Sequence, residues 1–187
     1  KPMVEINGRP FLDILVEYIS SFGFRRFILC AGFKSEIIEQ YYYKKNDGNT
    51  YVISKENEPL GTAGGIKNAE AHILSSSFIV LNGDSICQTN LKEFAEFHNS
   101  HNASASITIT TIDDVREYGS VVVSDKLEIT GFNEKSDQIT GQGLVNAGIY
   151  IFEKKILNKF SAEKKISLEY EVLPSMIRQG LFGFITE

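Results

Sequence analysis

The sequence predicts an α/β protein with a mostly parallel sheet covered by helices on both faces and mixed strands in its second half. Three observations carry that expectation. Between residues 11 and 81, short apolar runs alternate with segments of helical period. Strand, helix, strand at this spacing needs crossover connections, which are right-handed and build parallel sheets. After Asp84 the helical pattern thins out and turn-separated strand patterns take over. The 187 residues show no repeat, no low-complexity tract and no dividing linker. Residues 1–187 therefore read as a single domain, a size that buries about 70% of its unfolded surface.

The elements follow in order. Phe11, Ile14, Leu15, Tyr18, Ile19 and Phe22 recur at helical spacing after Pro10, which suits a first turn, and Gly23 supplies a stop. Phe27 to Ala31 reads as a buried strand, Ser35 to Tyr43 as a second helix and Tyr51 to Ile53 as a second strand. A helix from about Ala63 to Leu74 leads into a strand at Phe78 to Leu81. Leu91 to His101 is helical, and Ser104 to Thr111, Ser120 to Val123, Leu127 to Phe132 and Leu144 to Phe152 are strand-like. Two helical stretches close the chain, Lys154 to Phe160 and Leu168 to Arg178, the second kinked or split by Pro174.

Composition excludes several partners. With 42% apolar and 23% charged residues and a net charge of -5, the chain lacks the basic footprint of nucleic-acid binding. No apolar run approaches the roughly 20 residues that span a bilayer, so no membrane role is expected. Cys30 and Cys87 form no C-x-x-C pair and read as two buried, reduced thiols. Together with the lack of a signal-peptide pattern, they suggest the cytoplasm. The start at Lys1-Pro2-Met3, with no initiator methionine, suggests a fragment.

Two motifs carry chemistry. Glu58-Pro59-Leu60-Gly61-Thr62-Ala63-Gly64-Gly65 sits where a parallel sheet's ligand loops converge, just before a helix whose amino end favours negative charge. Such glycines let the main chain approach a base or phosphate; tight strand-to-helix packing is the alternative. Asn82-Gly83-Asp84 follows the apolar strand directly. Its carboxylate suits magnesium, which takes carboxylate oxygens, keeps several waters and bridges phosphates; an Asx-turn or helix cap is the alternative.

These residues resemble the sugar-phosphate nucleotidylyltransferases along essentially the whole chain. Lys1-Pro2-Met3 with Gly8-Arg9-Pro10 looks like the end of that family's signature segment, and Glu58 to Gly65 like its nucleobase loop. Asn82-Gly83-Asp84 looks like its metal-binding strand end, while Tyr118-Gly119, Glu134-Lys135 and Asn146-Ala147-Gly148-Ile149-Tyr150 match segments that hold the sugar phosphate. The resemblance implies a Rossmann-like fold of the nucleotide-diphospho-sugar transferase type. The Glu-Pro-Leu-Gly-Thr form of the loop is similar to that of guanylyltransferases acting on mannose or heptose 1-phosphate, with other bases and sugars left open.

The implied reaction needs no protein nucleophile. A sugar 1-phosphate oxygen attacks the α-phosphorus of a nucleoside triphosphate and expels pyrophosphate, so positioning and electrostatics carry the catalysis. By resemblance, Lys1 contacts the triphosphate and Lys135 the sugar phosphate, with Mg2+ on Asp84. Glu58, Pro59, Gly61, Thr62, Gly64, Asn82 and Gly83 border the nucleotide. Glu134 and Asn146 hydrogen-bond sugar hydroxyls, and the Gly119 amide approaches the sugar. The family's glycine-rich phosphate loop, its first strand and a second metal-binding Asp fall outside residues 1–187. The isolated segment is therefore expected to be weakly active or inactive, and the full-length protein active.

Other chemistries are poorly supported. His98 and His101 lie one turn apart but, with His72 distant and no carboxylate or Cys at matching spacing, read as surface histidines. No Ser-His-Asp hydrolase is indicated. Gly141-x-Gly143 lacks a third glycine, and Gly64-Gly65 is not followed by Lys-Ser/Thr. Glu39-Gln40, Glu169-Tyr170-Glu171 and the lysine pairs 44–45, 154–155 and 164–165 read as solvated. The rival readings are a non-catalytic nucleotide-sugar-binding module of the same fold and a nicotinamide-dependent oxidoreductase. The oligomeric state is open, a homo-oligomer included.

Overall fold

A computed structural model describes residues 1–116, 118–133, 140–160 and 165–186. Their contacts divide the chain into two compact units, Lys1–Ser76 with Lys154–Val172, and Ser77–Glu153 with Leu173–Glu187.

The first unit opens with a hairpin, β1 (Glu5–Ile6) and β2 (Arg9–Pro10), paired antiparallel with Ile6 opposite Arg9. Its two-residue turn is Asn7-Gly8, with φ of 50° and 77°, the double positive φ that an Asn-Gly turn supplies. Helix α1 (Phe11–Ser21) follows directly and buries Leu12, Leu15, Val16 and Ile19, one stripe at i, i+3, i+4, i+7. Each such side chain contributes about 2 kcal/mol by leaving water. Gly23, at φ 96°, ends the helix.

Strand β3 (Arg26–Ala31), helix α2 (Ser35–Tyr43) and strand β4 (Thr50–Lys55) form a β-α-β unit, with β3 and β4 parallel in register from Arg26–Thr50 to Ala31–Lys55. Helix α3 (Gly61–Asn68) continues into a 3-10 turn at Glu70–His72. The chain returns to this unit with a 3-10 segment, Lys154–Lys159, and a π-helical turn, Leu168–Val172. Leu157, Ile156 and Phe160 are buried there.

In the second unit the strands are β5 (Ser77–Leu81), β6 (Ala105–Ile112), β7 (Ser120–Val123), β8 (Ile129–Asn133), β9 (Gly143–Glu153) and β10 (Leu181–Thr186). They form one sheet in the order β10-β6-β9-β7-β8, with β5 also on β9. Helix α4 (Leu91–Ser100) is capped by Asn90, whose Oδ1 accepts from the amides of Lys92 and Glu93. Its rings Phe94 and Phe97 lie 5.3 and 5.4 Å from Phe184 of β10. A short helix, α5 (Leu173–Ser175), precedes β10.

The α/β class stands, with a mixed sheet. β3–β4 and β6–β10 are parallel, whereas β5 pairs antiparallel with β9, Leu81 opposite Ile149. No helix of the described residues is long and apolar enough to cross a membrane.

Several expectations change. The hairpin and β10 were not foreseen. The Lys154 helix is 3-10, and the stretch after Leu168 breaks into a π turn and a three-residue helix around Pro174. Cys30 is exposed, not buried, because alternation places it opposite the face of Phe27 and Ala31; Cys87 is half-buried, and both are free. His98 is 2% exposed rather than at the surface, because it shares the inward face of α4 with Leu91 and Phe94. Lys45 is not simply solvated: its ammonium pairs with buried Asp13. The Lys154 ammonium likewise donates to the Ile73 carbonyl.

Candidate active site

In the first unit the 58–65 loop runs from exposed Glu58 and Pro59 into the buried first turns of α3, Ala63 to Gly65. Gly61 has φ 74°, and a Cβ there would stand 2.5 Å from the Ile166 carbonyl oxygen. Only glycine meets both demands. At Gly65 a Cβ would stand 2.5 Å from Oε1 of Glu56, whose Oε2 accepts from the Leu60 amide at 3.2 Å. That carboxylate therefore braces the loop from beneath. The first turn of α3 carries no acidic residue of its own and the last carries Lys67; of the amides at its start, that of Leu60 is taken by Glu56 and that of Ala63 by the Ile166 carbonyl.

Thr62 is exposed, and its hydroxyl meets the chain about a hundred residues on. It accepts from the Leu168 amide at 2.7 Å and donates to Glu169 at 3.0 Å. Glu169 is thus no solvated helix face. Lys1 is exposed, and its segment is tied by its backbone, the Pro2 carbonyl accepting from the Leu12 amide at 2.9 Å.

In the second unit, β-pairing gathers motifs that are far apart in sequence. Leu81 lies opposite Ile149, which brings Asn82-Gly83-Asp84 to the Asn146-Ala147-Gly148 segment. A Cβ on Gly148, at φ 81°, would lie 3.3 Å from the side-chain nitrogen Nδ2 of Asn82. Asn146 is oriented from both ends: its Oδ1 accepts from the Gly148 amide at 2.9 Å and its Nδ2 donates to the Tyr150 hydroxyl at 2.9 Å. Each group keeps capacity for one more hydrogen bond.

Ser120 pairs with Asn133 on one side and with Val145 on the other. Gly119, exposed, therefore lies beside both segments, and a Cβ there would be 3.0 Å from the Asn133 carbonyl. Glu134 and Lys135 lie outside the described residues.

Asp84 is exposed just beyond β5. No cluster of three or more His, Cys, Asp or Glu among the described residues forms a metal cage. A single hard carboxylate at a strand end fits magnesium, which fills its remaining positions with water and phosphate oxygens.

Sequence reasoning missed Glu56 and the contact that Glu169 makes with the loop. Glu56 had a legible signal, a carboxylate two residues before Glu58 at the end of a strand; Glu169 is brought to Thr62 by packing about a hundred residues along the chain.

A family model described as nucleotidyl transferase matches residues 1–181. A D-glycero-alpha-D-manno-heptose 1-phosphate guanylyltransferase of Aneurinibacillus thermoaerophilus is 31% identical over 188 residues, covering 100% of this chain and 80% of its own length. The mannose-1-phosphate guanylyltransferase of Mycobacterium tuberculosis is 30% identical, over 99% of this chain and 52% of its own length. The chain thus spans about half the length of such mannose relatives. Among solved structures, HddC from Yersinia pseudotuberculosis has a TM-score of 0.86 and 37% identity, covering 99% of this chain and 80% of that one. The same protein complexed with GMP-PN has a TM-score of 0.84 and 36% identity, with the same coverage.

Proposed function

The chain belongs to the nucleotidyl transferase family, and from that premise we propose that it transfers the guanylyl group of GTP to a mannose- or heptose-type sugar 1-phosphate. A phosphate oxygen of the sugar attacks the α-phosphorus of GTP. The bond from that phosphorus to the bridging oxygen breaks, pyrophosphate leaves with the electron pair, and a GDP-sugar remains. No proton passes through the protein, so the residues act by position and charge.

The observation that supports this most is the meeting of three separated motifs around Ser120 and Leu81 in the second unit. Gly119 offers a bare backbone, Asn146 an oriented amide and Asp84 an exposed carboxylate, the mixture a sugar phosphate and its metal require. The relatives' substrates and the GMP-PN complex of HddC support guanine as the base.

In this reading Glu58, Pro59, Gly61, Thr62 and Gly64 border the base, the last three at the positive end of α3. Asn82 and Gly83 border the nucleotide at the end of β5, and Lys1 neutralises triphosphate oxygens. Glu134 and Asn146 bind sugar hydroxyls, and Lys135 holds the sugar phosphate. Asp84 holds Mg2+. When bound, the ion neutralises phosphate oxygens as two anions approach each other. The reaction belongs in the cytoplasm, and involves neither membrane nor nucleic acid.

The test is product identification: full-length protein incubated with GTP, Mg2+ and mannose 1-phosphate or heptose 1-phosphate, followed by mass spectrometry. A GDP-sugar is expected. Binding of GDP-sugar without any turnover would instead favour a sensing module.

A further inference from the structure

We propose that Glu169 is a positioning residue for the nucleoside end of the site, acting through the hydroxyl of Thr62. The inference rests on the guanylyl-transfer reading above and adds to it the device that fixes the base loop.

The contacts form a fastener with a backbone part and a side-chain part. The Ile166 amide donates to the Leu60 carbonyl at 2.8 Å, and the Ile166 carbonyl accepts from the Ala63 amide at 3.1 Å. Beyond this ladder the Thr62 hydroxyl accepts from the Leu168 amide and commits its proton to Oε2 of Glu169. The same carboxylate oxygen accepts from the Ser167 hydroxyl at 3.2 Å, which in turn accepts from the Tyr170 amide at 3.1 Å. Glu171 closes the arrangement by accepting from the Ser167 amide at 2.9 Å. The carboxylate of Glu169 is thus held from its own segment and presented to the loop.

A purely structural role explains this poorly. Thr62 is exposed and Glu169 half-buried, a setting in which a hydrogen bond contributes little to folding. The loop needs fixing for another reason. Gly61, Gly64 and Gly65 have no side chains with which to hold themselves, and glycine samples the widest range of backbone conformations. A base recognised by main-chain groups requires those groups to be placed within about 0.5 Å. Threonine at 62 is the one side chain between Leu60 and Gly65 able to transmit an outside constraint by hydrogen bonding.

Calorimetric titration of GTP into the full-length protein, without sugar phosphate, tests this directly. E169A is expected to weaken GTP binding by about tenfold, the fold-change of losing one hydrogen bond to a charged group. E169Q, which keeps an acceptor oxygen, is expected to recover most of that loss. T62V removes the donor together with the acceptor of the Leu168 amide and is expected to weaken GTP binding at least as much as E169A, and E169A/T62V to be no worse than T62V alone. In turnover, KM for GTP rises while kcat and the KM for sugar phosphate hold. Unchanged GTP binding in E169A and T62V, or losses that add in the double variant, would overturn the inference. A wild type that binds GTP without turning it over contradicts guanylyl transfer, not the fastener.

Discussion

Tyr42 donates its hydroxyl proton to Oδ1 of Asp13 at 2.9 Å, joining α2 to α1 through a carboxylate that is only 6% exposed. Tyr41 donates to Oδ2 at 2.6 Å, and Lys45 pairs with the same group. Burial works against the Asp13 charge, but the hydrogen bonds from Lys45, Tyr41 and Tyr42 outweigh it and hold the carboxyl below its usual range.

Asp13→Ala strands a tyrosine hydroxyl and an ammonium together. A loss of about 3 kcal/mol is expected, read from urea unfolding, because a buried polar network with one member removed leaves the others unsatisfied. Tyr42→Phe removes one arm and is expected to cost about 1 kcal/mol. In the wild type the Asp13 contribution is present above its ordinary value of 3.8 and is lost as pH falls through the lower, folded-state value.

His98 governs a different pH window. Burial lowers its pKa, with Glu153, whose Oε1 lies 3.5 Å from Nε2, opposing. The folded state therefore takes up the proton less readily than the unfolded chain. Stability is expected to fall as pH drops below the ordinary value of 6.5, until the folded-state pKa is passed. His98→Gln should remove this dependence. Unfolding free energies that stay level from pH 7 to pH 5 would contradict it.

The fold was legible wherever local pattern decides. Helix α2 begins at Ser35 and ends at Tyr43, and β7 spans Ser120–Val123, as their periodicity predicts. Strand direction is not a local property. The apolar run at Phe78 reads equally well parallel or antiparallel, and its pairing with β9 is decided more than sixty residues away. β10 is paired with β6 over a similar distance. The β1–β2 hairpin was legible in Asn7-Gly8 and overlooked. At the site, motif positions were readable, but the bonds that orient them were not: Asn146 meets Tyr150 four residues on, within β9 where Gly148 takes a positive φ, and Thr62 meets Glu169 only because the chain returns about a hundred residues later.

Gly61→Ala tests the loop. A left-handed conformation costs a side-chain-bearing residue about 1 to 2 kcal/mol, and here the new Cβ also meets the Ile166 carbonyl. Thermal unfolding should show at least that loss, with GTP affinity falling alongside it.

Asp84→Asn tests the metal. The side chain is exposed, so unfolding should change by less than about 0.5 kcal/mol. Turnover is expected to drop by about a hundredfold or more, as when one charge-stabilising group is removed from a reaction run by electrostatics. Mg2+ titrations should require higher concentrations for half-activity.

The most direct measurement is pyrophosphate release by the full-length protein, with GTP, ATP, UTP, CTP and dTTP each offered with mannose 1-phosphate and with heptose 1-phosphate. Release that needs a sugar 1-phosphate and Mg2+, and is fastest with GTP, is the predicted result. No release from any pair, or equal rates with all five triphosphates, would contradict guanylyl transfer.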